Sequence, residues 1–209
     1  MNNDDKILWQ SARNLLNAQK NLNKLFEAFW QVECSDTDLK IEEHDQDGSD
    51  GEFFQPVWNS YFIHRRNTRS NAKAKGILTI AIQLTSDEGT EAAWADGKRS
   101  KVLVGYSTGV VVDDAWIFAT DSPNEAGYCK DCVAKRRFWC PESNDDESWF
   151  YALPLDLLTD TERVRELIVA PVHEILCSEP IDGVFKKVDA SLGKIETSLC
   201  LPPQPDAAR

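Results

Sequence analysis

Three apolar runs in the middle of the chain decide its fold: Gly76-Ile-Leu-Thr-Ile-Ala-Ile-Gln-Leu84, Lys101-Val-Leu-Val-Gly-Tyr106 and Gly109-Val-Val-Val-Asp-Asp-Ala-Trp-Ile-Phe-Ala-Thr120. They are the densest β-branched and aromatic runs in the sequence, and such residues favour strands because they suit a pleated, half-buried surface. In the first run, leucine or isoleucine occupies every second position from Leu78 to Leu84. This alternation is typical of an antiparallel strand with one face in the core and a second, less buried face. The runs therefore predict the centre of an antiparallel sheet.

Further strands and two helices are expected around this centre. Strands are predicted at 57–64, from Trp149 onwards and, as a short last element, at 183–189. Residues 5–33 carry apolar side chains at three- and four-residue steps without Gly or Pro, so we expect a long core-packing helix, with a dimer seam as the alternative. A capping box, Thr159-Asp-Thr-Glu162, should begin a second helix. Pro171 should kink or split that helix, because proline has no amide donor.

The fold class that follows is α+β, in a single domain at 1–200. We expect a mainly antiparallel sheet of about five to six strands, packed by the long N-terminal helix and by the C-terminal helix that is kinked or split at Pro171. The proline-rich tail at 201–209 is expected to be disordered. A chain of 209 residues can bury a core of this kind without staples.

Charge and composition limit the classes of partner. The net charge is -12, which disfavours a general nucleic-acid binder and favours a protein partner with a basic surface. Residues 1–6 are acidic and polar, with no export signal, and no run is long enough to span a membrane, so we expect a cytoplasmic protein with no membrane contact. Its six cysteines should then be reduced thiols. The oligomeric state is not defined by the sequence.

An acidic segment at 33–52 is predicted to be a mobile loop. Glycine and serine at 48–51 favour this interpretation, and Lys40 is the only cation in the segment. Spacing from Asp45 does not match an EF-hand, because the sixth position is Asp50 instead of glycine, so a calcium site is disfavoured. The residues expected to contact a basic partner are Asp36, Asp38, Glu42, Glu43, Asp45, Asp47 and Asp50.

A basic segment at 65–75 contains five cations and no anion. It is interpreted as a solvated hairpin loop or as a local anion site, because arginine forks fit phosphate and carboxylate groups. As a third alternative, it could dock on the acidic segment of the same chain. The anion-binding candidates are Arg65, Arg66, Arg69 and Lys73.

A cysteine-containing loop is predicted at 121–148. The two-residue gap between Cys129 and Cys132 allows two thiolates to share one tetrahedral ion, and Cys140 is a plausible third ligand. These three residues are therefore candidates for a structural zinc site, although a second close pair is missing. Plain thiols and a redox pair are the alternatives. Nucleic-acid contact is expected only through two local basic stretches, at 130–137 within this loop and at 65–75.

Three functions are compatible with these patterns. The leading hypothesis is an acidic, cytosolic protein-binding module of the inhibitor, immunity or adaptor type, engaging a basic nuclease, toxin or nucleic-acid enzyme. The second is a zinc-containing accessory protein of a nucleic-acid-processing or defence system. The third is an enzyme with a dispersed carboxylate or metal site, for which the candidates are Asp87, Glu91, Asp96, Lys98, Asp113 and Asp114. No nucleophile–base, phosphate-loop or paired-histidine motif supports the third, and we lean towards a non-enzyme.

Overall fold

A computed structural model describes residues 3–36, 38–47, 57–65, 73–84, 100–108, 132–135, 138–141 and 147–192. Its helices are α1 (Asn3–Phe29), α2 (Thr161–Val164), α3 (Ala170–Leu176) and α4 (Ile181–Leu192). Its strands are β1 (Cys34–Ser35), β2 (Lys40–Asp47), β3 (Val57–Arg65), β4 (Ala74–Gln83), β5 (Lys101–Ser107), β6 (Cys132–Lys135), β7 (Phe138–Pro141) and β8 (Trp149–Pro154). Single 3-10 turns follow α1 and β8, at Trp30–Val32 and Leu155–Leu157, and a π-helical turn lies between α2 and α3, at Arg165–Val169.

The strands form one sheet in the order β1-β2-β3-β4-β5-β8-β7-β6, and every neighbouring pair is antiparallel. The predicted α+β class is therefore confirmed, with six strands in the main body. The remaining two, β6 and β7, form a short hairpin that joins the sheet through the pair Trp139↔Phe150. This hairpin corrects the prediction that 121–148 is a loop throughout. The predicted strand at 110–120 lies outside the described residues.

The core lies between one face of the sheet and the helices. Across this face the register aligns Phe62, Leu78, Tyr106 and Trp149 in one row, because β3, β4, β5 and β8 pair directly at these positions. All four side chains belong to a buried cluster that also contains residues of α1, α3 and α4. Every second side chain of a strand points to the same face, so burial of this face accounts for the alternating apolar pattern from which the sheet was predicted.

The opposite face of the central strands is buried as well, which corrects the expectation that it would be less buried. In β4 the side chain of Thr79 has no exposed surface, and in β5 the side chain of Lys101 is 1% exposed. Lys101 is opposite Gln83 in the register, so two polar residues share an interior position. Polarity therefore misled the prediction, since polar residues usually indicate the solvent face.

Helix α1 packs on the core only through its C-terminal part. Among its described side chains, Leu22 and Phe29 are buried, whereas Leu8 is 72% exposed and Trp9 lies on the surface. The core-packing prediction is thus correct for the stretch from Leu22 to Phe29 and wrong for residues 6–14, where every side chain is exposed. The alternative of a dimer seam stays a prediction. None of the described helices combines the length and the apolar character needed to cross a membrane.

The C-terminal helical region is divided near Pro171 by a π-helical turn. An amide at position 171 would normally donate to the carbonyl of Leu167, but proline has no such donor. The hydroxyl of Tyr151 donates to this carbonyl instead, at 2.9 Å. The helix begins one residue later than the capping box predicted, since the N-cap is Asp160, whose Oδ1 accepts from the Arg163 amide at 2.9 Å.

Two local predictions are wrong for identifiable reasons. Residues 183–189 belong to α4 and not to a strand; the buried positions Val184, Phe185, Val188 and Leu192 follow a helical period that a seven-residue window could not reveal. In the acidic segment, residues 34–35 and 40–47 are strands and not a mobile loop. Pairing of β2 along β3 overrides the low strand propensity of acidic residues, because that propensity depends on context.

Candidate functional site

The acidic strand β2 has an outer side that few residues cover. Its inner side pairs with β3 from Lys40↔Arg65 to Asp47↔Asn59, with a bulge between Glu43 and Asp45. On its outer side β1 pairs only with Lys40 and Ile41. Within the described part of the chain, no strand lies beside residues 42–47 on that side.

One outward amide of β2 is bonded to a carboxylate. The backbone N–H of Glu43 donates to Oε1 of Glu33 at 2.9 Å. Glu33 directly precedes β1, so its side chain occupies the place where a longer β1 would have offered a backbone carbonyl. The edge therefore already makes, through a side chain, the kind of hydrogen bond that an added strand would make.

Glu42 is neutralised by cations of the same chain. Its carboxylate pairs with the Lys40 ammonium at 2.7 Å and with the Arg65 guanidinium. Hydrogen bonds from Lys40 and then from Arg65 hold the pKa of the Glu42 carboxyl below its usual value. Arg65 thus makes one ion pair with the acidic segment; residues 66–72 lie outside the described residues, and docking of the basic segment stays a prediction. Glu42 and Arg65 are both engaged internally, which weakens their assignment to external partners.

The other predicted acidic residues lie around the same edge. Asp36, Asp38, Glu43 and Asp45 are exposed, and Asp47 ends β2. Asp36 accepts a hydrogen bond from the Cys34 thiol at 3.3 Å, and burial is the main cause that raises the pKa of that thiol. Asp50 lies outside the described residues, as do Arg66 and Arg69. Lys73 is exposed directly before β4.

The predicted zinc ligands are only partly described. Cys132 lies in β6 and Cys140 in β7, but the register pairs Cys132 with Pro141 and Cys140 with Val133. The two cysteines therefore lie on neighbouring strands but are offset by one residue, so that their backbone positions are not paired with each other. Cys129 lies outside the described residues, as do the carboxylates proposed for an enzyme. In the described ranges no three His, Cys, Asp or Glu residues form a group that could hold a metal ion. Zinc binding stays a prediction.

A second site, which the sequence did not reveal, is a cavity beside the ends of β3 and β5. Its volume is about 440 Å³, and His64, Tyr106 and Trp149 line it together with the segment that joins α3 to α4. His64 Nδ1 and the Tyr106 hydroxyl are hydrogen-bonded at 2.9 Å. The Tyr106 ring stacks on Trp149, with ring centroids 6.0 Å apart and planes inclined by 24°.

Burial keeps both members of this pair neutral. Desolvation, followed by the charge of Lys75, lowers the pKa of His64 from the usual 6.5 to about 4. Desolvation, followed by the charge of Glu147, raises the pKa of Tyr106. At neutral pH the cavity thus presents an uncharged hydrogen-bonded pair, and its lining also contains a cation, Lys75, and an anion, Glu147.

The neutral His64 should make stability depend on pH. Because its pKa is lower in the folded than in the unfolded state, the unfolded chain binds more protons between about pH 4 and 6.5. The contribution of neutral His64 to the free energy of unfolding is therefore fully present above pH 6.5. On the order of 2 kcal/mol of this free energy is lost as the pH falls towards 4. Urea unfolding at stepped pH values checks this expectation.

The matched variant for the pH series is His64→Gln, which keeps a polar side chain but does not titrate. The difference in unfolding free energy between wild type and variant should shrink on acidification. Only in the wild type does protonation of residue 64 destabilise the fold in this pH range. Parallel stability curves for the two proteins would show that His64 is not the titrating group.

The sequence contained one signal for this pocket. His64 stands at the end of an apolar strand, and Gly76, its partner in the register, is the first residue of the alternating run. His64 did not stand out because the histidines were judged by their spacing in the sequence, and the three lie far apart. Such spacing can reveal a metal site but not a histidine–tyrosine pair. Comparisons of the chain with protein-family models, with curated proteins and with solved structures found no match.

Proposed function

We propose that the protein is a protein-binding module of the inhibitor or adaptor type, which receives an extended basic segment of its partner along the outer side of β2. The observation that carries this proposal is the ordered acidic strand, whose outer side is covered by only two paired residues of β1 among the described residues. A basic surface loop of a nuclease, toxin or nucleic-acid enzyme has the matching chemistry.

Strand addition would use the backbone groups of β2. In this mode of recognition, an extended peptide joins a sheet edge, main-chain hydrogen bonds give affinity and alternating side chains give specificity. A peptide that continues the line of β1 would meet the Glu43 amide, displacing the Glu33 carboxylate that now accepts from it. Glu33 would then be able to contact a cation of the peptide.

The charges of the strand select the partner. Glu43 and Asp45 are exposed on β2, in a protein with a net charge of -12, and they would attract lysine and arginine side chains. The same charges repel a second copy of this strand, which is how natural sheets protect an edge from self-association. Glu42 contributes less, since Lys40 and Arg65 already neutralise it.

A labelled peptide of alternating lysine and valine, eight residues long like β2, is a direct probe. We expect saturable binding by fluorescence anisotropy, weakening as salt rises from about 50 to about 300 mM, because exposed charges are screened. The double variant Glu43→Lys/Asp45→Lys should bind about tenfold or more weakly. The control is the double variant Glu162→Lys/Asp182→Lys, at exposed residues of α2 and α4, which undergoes the same total charge change away from β2.

Two further peptides separate strand addition from simple attraction. The same peptide with its alternate backbone amides methylated on the edge facing β2 keeps its charge but cannot pair, so it should bind much more weakly. A glutamate–valine peptide should not bind. Equal binding of the methylated and unmethylated peptides would rule out strand addition, and binding that ignores salt would rule out the electrostatic selection.

A further inference from the structure

We propose that the cavity at His64 and Tyr106 binds a small zwitterion of the α-amino acid class with an apolar side chain. The cavity is separate from the outer side of β2, and its volume of about 440 Å³ falls within the range of about 300–1,000 Å³ typical of small-molecule sites. Neutral hydrogen-bonding groups, opposite charges and an apolar wall meet in it, and an amino acid needs all three.

The two charges come from chain segments on opposite sides of β5: Lys75 belongs to β4, and Glu147 shortly precedes β8. Lys75 is close enough to His64 to influence its titration, whereas Glu147 influences Tyr106. The ring centroids of His64 and Tyr106 are 5.7 Å apart, and each charge acts on a different member of this hydrogen-bonded pair. A carboxylate would be attracted to the Lys75 side and an ammonium group to the Glu147 side.

Both charges reach the surface. Lys75 and Glu147 are exposed, and no ion pair within the described residues joins either of them to another side chain. The exposed Glu179 also lines the cavity, and Lys187, the cation that it influences, is already paired with Glu174 at 2.6 Å. Glu147 is the carboxylate assigned to the ammonium group, because it, and not Glu179, acts on the Tyr106 hydroxyl.

Part of the remaining wall is apolar. Trp149, Ile175 and Leu176 line it, and all three are buried or nearly so. An aliphatic or aromatic side chain would gain contact area against these groups, while a charged side chain would lose its hydration without compensation. The preference should therefore be for amino acids such as leucine or phenylalanine.

Calorimetric titration of the whole protein with L-leucine and L-phenylalanine tests the assignment. We expect saturable binding and a rise in melting temperature, because a ligand that binds only the folded state stabilises it. L-Leucinamide, which lacks the carboxylate, and N-acetyl-L-leucine, which lacks the ammonium group, should each bind about tenfold or more weakly.

Two variants assign the charges. In Lys75→Met the disadvantage of leucinamide should disappear, and in Glu147→Gln the disadvantage of N-acetyl-leucine should disappear. Lys73→Met and Glu162→Gln are the matched controls, because both residues are exposed and neither lines the cavity. The proposal would be overturned if neither amino acid gave saturable heat at about 10 mM, because enzymes and binding proteins typically bind small molecules well below this concentration. Binding that neither Lys75→Met nor Glu147→Gln alters would overturn it as well.

Discussion

The variant Gly76→Ala should lose about 3 kcal/mol of unfolding free energy, which is large for the addition of one methyl group. A Cβ atom at this position would approach the carbonyl oxygen of Ser107 and the hydroxyl of Tyr106 more closely than 3.0 Å, a separation that real Cβ atoms essentially never show. Neither neighbour can move easily. The Ser107 carbonyl belongs to β5, and the Tyr106 ring is fixed by His64 and Trp149.

Denaturant unfolding of Gly76→Ala beside Gly183→Ala measures this effect against a matched control. Gly183 lies in α4, where the methyl group of an alanine would meet no neighbour within 4 Å, so alanine should stabilise that helix by about 0.5–1 kcal/mol. The two variants thus make the same chemical change with opposite expected signs. A wild-type midpoint for Gly76→Ala would mean that β4 and β5 lie further apart than their register and contacts indicate.

The variant Leu167→Ala should lose about 3–4 kcal/mol, because it combines lost apolar transfer with a cavity in a fully buried cluster. Leu167 has no exposed surface and lies in the π-helical turn that packs against the sheet. In contrast, Leu8→Ala should change stability by less than about 0.5 kcal/mol, since Leu8 is 72% exposed on a helix where alanine is well tolerated.

These two leucine variants also test how α1 is placed. Unfolding midpoints in urea, converted with a common slope, give both free energies. A loss above about 2 kcal/mol in Leu8→Ala would show that the N-terminal half of α1 is buried against something, such as a second copy of the chain. In that case the stability of the variant should also depend on protein concentration.

Local patterns were sufficient to predict the central strands, the long N-terminal helix and the helical region that begins near position 160, but not α4. The alternation from Leu78 to Leu84 reflects burial of one sheet face, and the heptad-like spacing of α1 reflects a real stripe, of which Leu22 and Phe29 are buried. Those patterns could not show where the stripe stops being covered, because coverage depends on the extent of the sheet. They also could not identify β2, whose acidic sequence becomes a strand only through pairing with β3.

The two candidate sites differ in how much the sequence could reveal. The acidic residues around β2 were identified by charge alone, although their arrangement along a strand edge was not. The pocket depends on contacts between residues that are distant in sequence: His64 and Tyr106 are 42 positions apart, and Trp149 comes later still. Only the register of three strand pairs brings these side chains together, and neither composition nor spacing encodes that register.

The hydrogen bond from the Tyr151 hydroxyl to the Leu167 carbonyl should make the residues tolerated at positions 151 and 171 depend on each other. Proline at 171 is tolerated because a hydroxyl from β8 supplies the donor that the helix lacks. Loss of that hydroxyl should therefore lower stability strongly when position 171 is proline, but only slightly when position 171 carries a residue with an N–H group. Sequence change should follow a preferred order, in which position 171 regains its amide before position 151 can become phenylalanine.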